Sequence, residues 1–235
     1  AIKLHEEVQK LNDNYAYHHV IQKIHNFCVH ELGGVYLDII KDRMYVTKSN
    51  SYARRSAQFA LFEVAEILIR LISPILVFTA EEIWQSHELF KKQSVSIFMA
   101  SQKALSEIES SISDEDWKKI FAVKDAVNQS IEKARTDSVI KGSLDSKISI
   151  TCDKKTFKAL QKIEDELKFV FISSEVEIAE SSSSVLDIEV TNFDQKKCIR
   201  CWNKCSSVGL YAEDPEICSR CYTNVYGDGA IRKFV

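Results

Sequence analysis

Four cysteines near the C-terminal end are the residues of this chain best suited to chemistry. In KCIRCWNKCSSVGLYAEDPEICSRC, residues 197–221, Cys198 and Cys201 form one Cys-x-x-Cys pair, and Cys218 and Cys221 form a second after sixteen intervening residues. Each such turn offers two thiolates from a tight loop, and two turns fill the tetrahedral shell of a single zinc ion. Four protein thiolates leave no open position for water or substrate, so the predicted role of one Zn2+ is structural rather than catalytic. It would supply folding free energy to a segment with too few large aliphatics to build its own core. Rubredoxin-like iron uses the same four thiolates, yet nothing in the sequence suggests a redox partner, and zinc is the default. Cys205 is a fifth thiol that could swap in as a ligand but reads as a bystander, because the two pairs already account for four positions. Cys28 and Cys152 stand alone and read as small buried apolar residues. Seven cysteines with no secretory signal point to a reducing compartment and to metal rather than disulfides.

Around the cysteines lie groups suited to an unpaired base. Trp202 and Arg200 flank Cys201, and Lys196, Lys197, Lys204, Arg220, Arg232 and Lys233 are close in sequence. An exposed Trp stacks on a base while cations meet phosphate; alternatively, Trp202 covers the metal site as a small core. The spacing leaves both readings open. A net charge of −3 from 31 basic and 34 acidic residues gives no global field for a polyanion, so any nucleic-acid contact must be local.

The elements that must position these groups form three regions: a helical bundle over 1–105, a small α/β domain over 106–192 and the four-cysteine module over 193–235. Mainly α architecture is expected, because apolar residues recur at helical spacing through Leu4, Val8 and Leu11, through Val20, Ile21, Ile24 and Phe27, and through Leu61, Val64, Leu68, Leu71 and Ile75. Pro74 should interrupt the longest helix. The apolar run from Phe59 to Phe78 contains Glu63, Glu66 and Arg70, which predicts a buried helix and not a membrane span. Residues 91–102 read as a polar connection. Ser113 is a candidate N-cap for a helix reaching about Arg135, 147–152 alternates as a strand, and 156–167 is helical in pattern. KFVFI (168–172), EVEIA (175–179) and LDIEV (186–190) read as short β runs, with SSSS (181–184) as a turn. The first residues, AIKLHEEVQKLND, show neither initiator Met nor signal peptide, which suggests a piece cut from a longer chain.

Taken in order, these residues carry a resemblance. KCIRCW, ICSRC and the C-terminal N-x-x-GDG-x-x-RKF are similar to the terminal zinc module of bacterial-type isoleucyl-tRNA synthetases. YLDIIKDRMY (36–45) and the segment 51–84 resemble the helical anticodon-binding domain of class Ia synthetases, and 131–150 resembles the small domain that follows it. The resemblance implies a C-terminal tRNA-binding region whose partners are the anticodon stem-loop of tRNA(Ile) and an N-terminal catalytic domain absent here. It implies ATP only for the intact parent and no catalytic residue in this chain; a cytoplasmic location is the default expectation, together with a monomer and no membrane partner. No His-x-Gly-His or Lys-Met-Ser-Lys-Ser element is found; His18, His19 and His30 are not of that kind. By the same resemblance Trp202 and Arg200 would meet wobble-side bases and Lys41 would contact RNA from the bundle. Lys41 also fits a helix-surface cation beside a carboxylate, and Asp42 with Arg43 fits a structural pair. Arg54 and Arg55 open the long helix at the wrong end for its dipole, which suggests a phosphate contact, an acidic partner or a solvated face. A free-standing zinc-ribbon nucleic-acid module, a protein-interaction domain and a valine or leucine sister synthetase remain as alternatives.

Overall fold

The computed structural model describes residues 1–101 and 110–234. The chain divides into two compact units, residues 1–38 with 55–108 and residues 39–54 with 109–235. The boundary expected at 105/106 lies outside the described residues.

The first unit is helical. Helices α1 (Ile2–Asp13) and α2 (Tyr17–Asn26) lead into a π-helical stretch, Phe27–Tyr36, and the short α3 (Leu37–Ile39). After α4 (Lys41–Tyr45), which belongs to the second unit, come α5 (Tyr52–Ile72), α6 (Val77–Ser86), α7 (Glu88–Lys91) and a 3-10 turn at Ile97–Met99. Leu4 and Val8, Val20 and Ile24, and Ile67 and Leu71 each sit four residues apart on one helix face, and with Phe27 they form one core cluster. A second cluster joins Ile69, Ala80, Trp84, Phe90 and Ile97. The π stretch brings the carbonyl of Cys28 to 2.9 Å from where a Cβ on Gly33 would stand, so the wide turn requires glycine there. Pro74 lies in the break between α5 and α6. Two of the charges in the apolar run pair on their own helix: Glu66, 1% exposed, accepts from Arg70 Nε at 3.2 Å and Nη2 at 2.8 Å. Among the described residues no helix is long and apolar enough to cross a membrane.

The second unit contains α8 (Asp114–Thr136), β1 (Ser146–Asp153), α9 (Lys154–Gln161), α10 (Leu167–Phe171), β2 (Glu175–Ser181), β3 (Asp187–Asn192) and α11 (Ser219–Tyr226). Ser113 caps α8, accepting from the Asp116 amide at 3.1 Å. Ile120, Val123, Val127, Ile131 and Ala134 form its buried stripe. The sheet order is β2-β1-β3, with β1 parallel to β2 and antiparallel to β3. Along β1, burial alternates strictly, placing Ile148, Ile150 and Cys152 inside. Burial pushes the Cys152 thiol up, and the Cys28 thiol likewise, so neither is poised to react.

Two expectations about local structure need correction. Lys168 to Phe171 of KFVFI lie in helix α10 and not in a strand, with Ile172 its left-handed cap: Phe169, Val170 and Phe171 are consecutive and all buried, so they carry no period that separates helix from strand. The helix expected over 156–167 stops at Gln161, and the chain turns so that Ile163 and Leu167 enter the core and Glu166 faces inward. EVEIA and LDIEV are the two edge strands. Residues 91–102 are largely a connection, pinned where Ser96 Oγ and the Ile97 amide both donate to Glu81, at 2.9 and 3.1 Å. Gln102 lies outside the described residues.

Ile148 is wholly buried, so Ile148→Ala is expected to cost about 2–5 kcal/mol in urea unfolding of the second unit. Lys162, with Ser113, holds the Asp116 carboxyl down at about 2, against about 4 in an unfolded chain. The stabilisation is therefore present above about pH 4 and lost as pH falls towards 2. The urea midpoint of Asp116→Asn should change less with pH across that window than that of the unaltered chain.

Candidate metal centre

Two loops and a helix start build the site. The Cys198–Cys201 turn is closed by the Trp202 amide donating to the Cys198 carbonyl at 2.9 Å, and by the Cys198 amide donating to the Asn203 carbonyl at 2.9 Å. Cys218 is the N-cap of α11, which places Cys221 in its first turn. The Ile199 amide donates to the Glu216 carbonyl at 3.2 Å, and the Cys218 amide to Cys198 Sγ at 3.3 Å, so the two turns face each other. All four sulfurs lie within 4.8 Å of one another, and all four cysteines are buried.

A zinc–sulfur bond of about 2.3 Å in a tetrahedron requires sulfurs about 3.8 Å apart. The Cys201 and Cys218 sulfurs are 3.8 Å apart, and the others need to close by at most about an ångström. The donor set and the burial both fit a closed structural zinc site. Cys205 is half-buried, with Sγ 3.3 Å from Ser207 Oγ, and stands outside this set. Within the cluster Cys201 is driven towards thiolate because Cys218 and then Cys221 donate to it, with Arg220 nearby. The same hydrogen bonds push Cys218 above the usual thiol range and Cys221 up to about 12. Such a set gives up protons when a cation enters.

The small core over the cysteines is made by Val46 and Ile217, with Val208 and Tyr222 packed beside them. Trp202 takes no part in this core. It is 63% exposed and held at φ 64, a left-handed conformation that costs a bulky residue about 1–2 kcal/mol. Arg200 is half-buried and donates to the Val46 carbonyl at 2.6 Å. Lys41 is exposed at the start of α4, in the same unit as the cysteines. Arg54 is half-buried with its amide on Ser51 Oγ at 3.2 Å, and Arg55 is exposed with Nη1 donating to Gln58 at 3.0 Å. Of the neighbouring cations, Arg220 and Arg232 point inward: both bind Asp42 Oδ1, at 2.7 and 2.8 Å. Their sequence positions next to the cysteines suggested phosphate contacts; only the fold brings Asp42 to them.

Residues 2–150 match the model of the anticodon-binding domain of tRNA ligase, more than half of the chain. The chain belongs to that family. Residues 195–224 match a second model, a zinc finger found in FPG and IleRS. Over 248 residues the chain is 42% identical to an isoleucine-tRNA ligase of Alcanivorax borkumensis, with 100% of this chain and 26% of the relative covered. The corresponding ligases of Ectopseudomonas mendocina and Saccharophagus degradans are 40% and 39% identical, covering 99% and 100% of this chain and again 26% of each relative. The chain thus spans about a quarter of the length of the curated relatives it matches.

Cys218→Ser removes one of four ligands. Zinc measured by atomic absorption after desalting should fall from one ion per chain to none. Because thiols must deprotonate to ligate, zinc affinity by chelator competition should rise with pH across the neutral range.

Proposed function

We propose that the chain reads the anticodon stem-loop of tRNA(Ile) as the tRNA-binding part of an isoleucine-tRNA ligase, with one Zn2+ held by Cys198, Cys201, Cys218 and Cys221. ATP-dependent ligation is assigned to the portion of the relatives that this chain does not cover. The helical region up to about 105 would hold the stem-loop, 106–192 would act as the connecting α/β domain and 193–235 as the reading module, in a cytoplasmic monomer. When bound, zinc supplies folding free energy to the knot; the protein's own side chains make the contacts.

The observation that carries this reading is Trp202: an indole 63% exposed, in a strained backbone conformation, directly after a buried cysteine. An aromatic kept in solvent at a cost in stability is suited to stacking on an unpaired base, worth about 1–3 kcal/mol per base. Arg200 is assigned to the same wobble-side bases. Lys41, Arg54 and Arg55 are assigned to the phosphate backbone, where each contact would add to the salt dependence of binding.

Stability and affinity should part company at Trp202. Trp202→Gly relieves the left-handed strain and is expected to raise unfolding stability by about 1 kcal/mol. The same change should weaken binding to isoleucine tRNA about 5- to 150-fold, measured by fluorescence anisotropy at low salt. A tRNA with its anticodon replaced should bind more weakly to the zinc-loaded chain, and chelation should abolish the difference. Equal binding of both tRNAs would overturn the anticodon reading and favour a general nucleic-acid module.

A further inference from the structure

An ionic cluster inside the second unit is not accounted for by metal ligation or by RNA contact. Asp42 accepts from Arg220 through both oxygens, at 2.7 and 2.8 Å, and from Arg232 Nη1 at 2.8 Å. Arg232, its side chain 2% exposed, also reaches Glu166 at 3.5 Å, and its guanidinium lies 3.4 Å from the ring centre of Phe169. Glu166 in turn accepts from the backbone amides of Lys233 and Phe234. Arg43 stands 4.0 Å from the same carboxylate. A group of this kind costs several kcal/mol to desolvate, so its geometry must be closely satisfied to persist.

What it grips is specific. Arg220 lies in the turn between Cys218 and Cys221, and a two-point fork to a carboxylate fixes its orientation as one hydrogen bond would not. Val46, four residues after Asp42, packs on the cysteines and takes the Arg200 hydrogen bond, so α4 and its following residues touch both halves of the knot. Lys48, further along, donates to the Gly227 carbonyl at 2.8 Å, just past the end of α11. The knot therefore rests on a segment far away in sequence.

We propose that Asp42 is a positioning residue for the metal centre: its grip on Arg220 holds the turn carrying Cys218 and Cys221, and its bond to Arg232 makes the C-terminal tail part of the same clamp. The proposal rests on the zinc reading above. Groups that orient metal ligands from outside the coordination shell typically contribute 10- to 100-fold in metal affinity.

The test is the rate of zinc release to a chromogenic chelator from the full chain, with the zinc content and far-UV circular dichroism of each variant as checks. Asp42→Asn should bind one zinc and release it about 10- to 100-fold faster. Adding Asp42→Asn to Arg220→Ala should quicken release by less than the product of the two single effects, because the two residues share one contact; a full product would overturn the coupling. Glu177→Gln, which breaks the exposed pair with Lys147, should leave the rate unchanged. Hydrogen exchange in zinc-loaded Asp42→Asn should rise at residues 232–234. If Asp42→Asn does not fold, Arg220→Lys, which keeps the charge but loses the fork, takes its place with the same expectation. Release at the unaltered rate from a zinc-loaded Asp42→Asn or Arg220→Lys would overturn the positioning role and leave the zinc reading standing. Failure of the unaltered chain to hold zinc would overturn both.

Discussion

Holding four sulfurs within 4.8 Å is the constraint on which the C-terminal part of this molecule depends. The segment that carries them has little aliphatic material, and its own cover is Ile217, Val208 and Tyr222. Without a cation the cluster can do no more than share protons, one sulfur drawn towards thiolate and two held as thiols. That arrangement is weak compared with four bonds to a divalent ion, which is why the donor set and burial fit a metal so well.

The local cover is completed from elsewhere. Val46 supplies an apolar side chain and a carbonyl, Asp42 supplies charge, and Glu166 fastens the residues after Arg232. Burial lowers the pKa of Arg232, while Asp42 and Glu166 work against that loss of charge. For Arg220 the balance goes the other way: burial opposes its charge, but Asp42 outweighs it and the guanidinium is held more firmly protonated. The two arginines share one carboxylate oxygen, so the turn with the last two cysteines and the tail are tied at a single point. Against this closed interior, Trp202 is exposed and held in a left-handed backbone conformation. Sites that break the local rules in this way are where function is to be sought.

Membership of the anticodon-binding family accounts for the long helical segment, and the zinc-finger match covers the cysteines. The structure adds a link that neither match contains. Residues 39–54 lie inside the span of the first match yet group with the unit that holds the knot. The YLDIIKDRMY segment, read from the sequence as part of the bundle, thus supplies Asp42 and Arg43 to the interior of the other unit.

By itself the sequence determined whatever depends on spacing along the chain. The two Cys-x-x-Cys pairs announce a four-thiolate site, the four-residue recurrence of Leu4 and Val8 or Val20 and Ile24 announces helices, alternation over 147–152 announces β1, and Ser113 announces the start of α8. Tertiary structure decided what has no period or no near neighbour. In KFVFI the three residues after Lys168 are all buried, so the run has no alternation that separates a helix from a strand, and only the fold shows it as α10. That Trp202 stays outside the cysteine core, which Val46 joins from far along the chain, could not be read from spacing. Arg220 and Arg232 looked like surface cations because their partner carboxylates, Asp42 and Glu166, are remote in sequence. A charge's role is set by what lies within a few ångströms of it, and that distance exists only once the chain has folded.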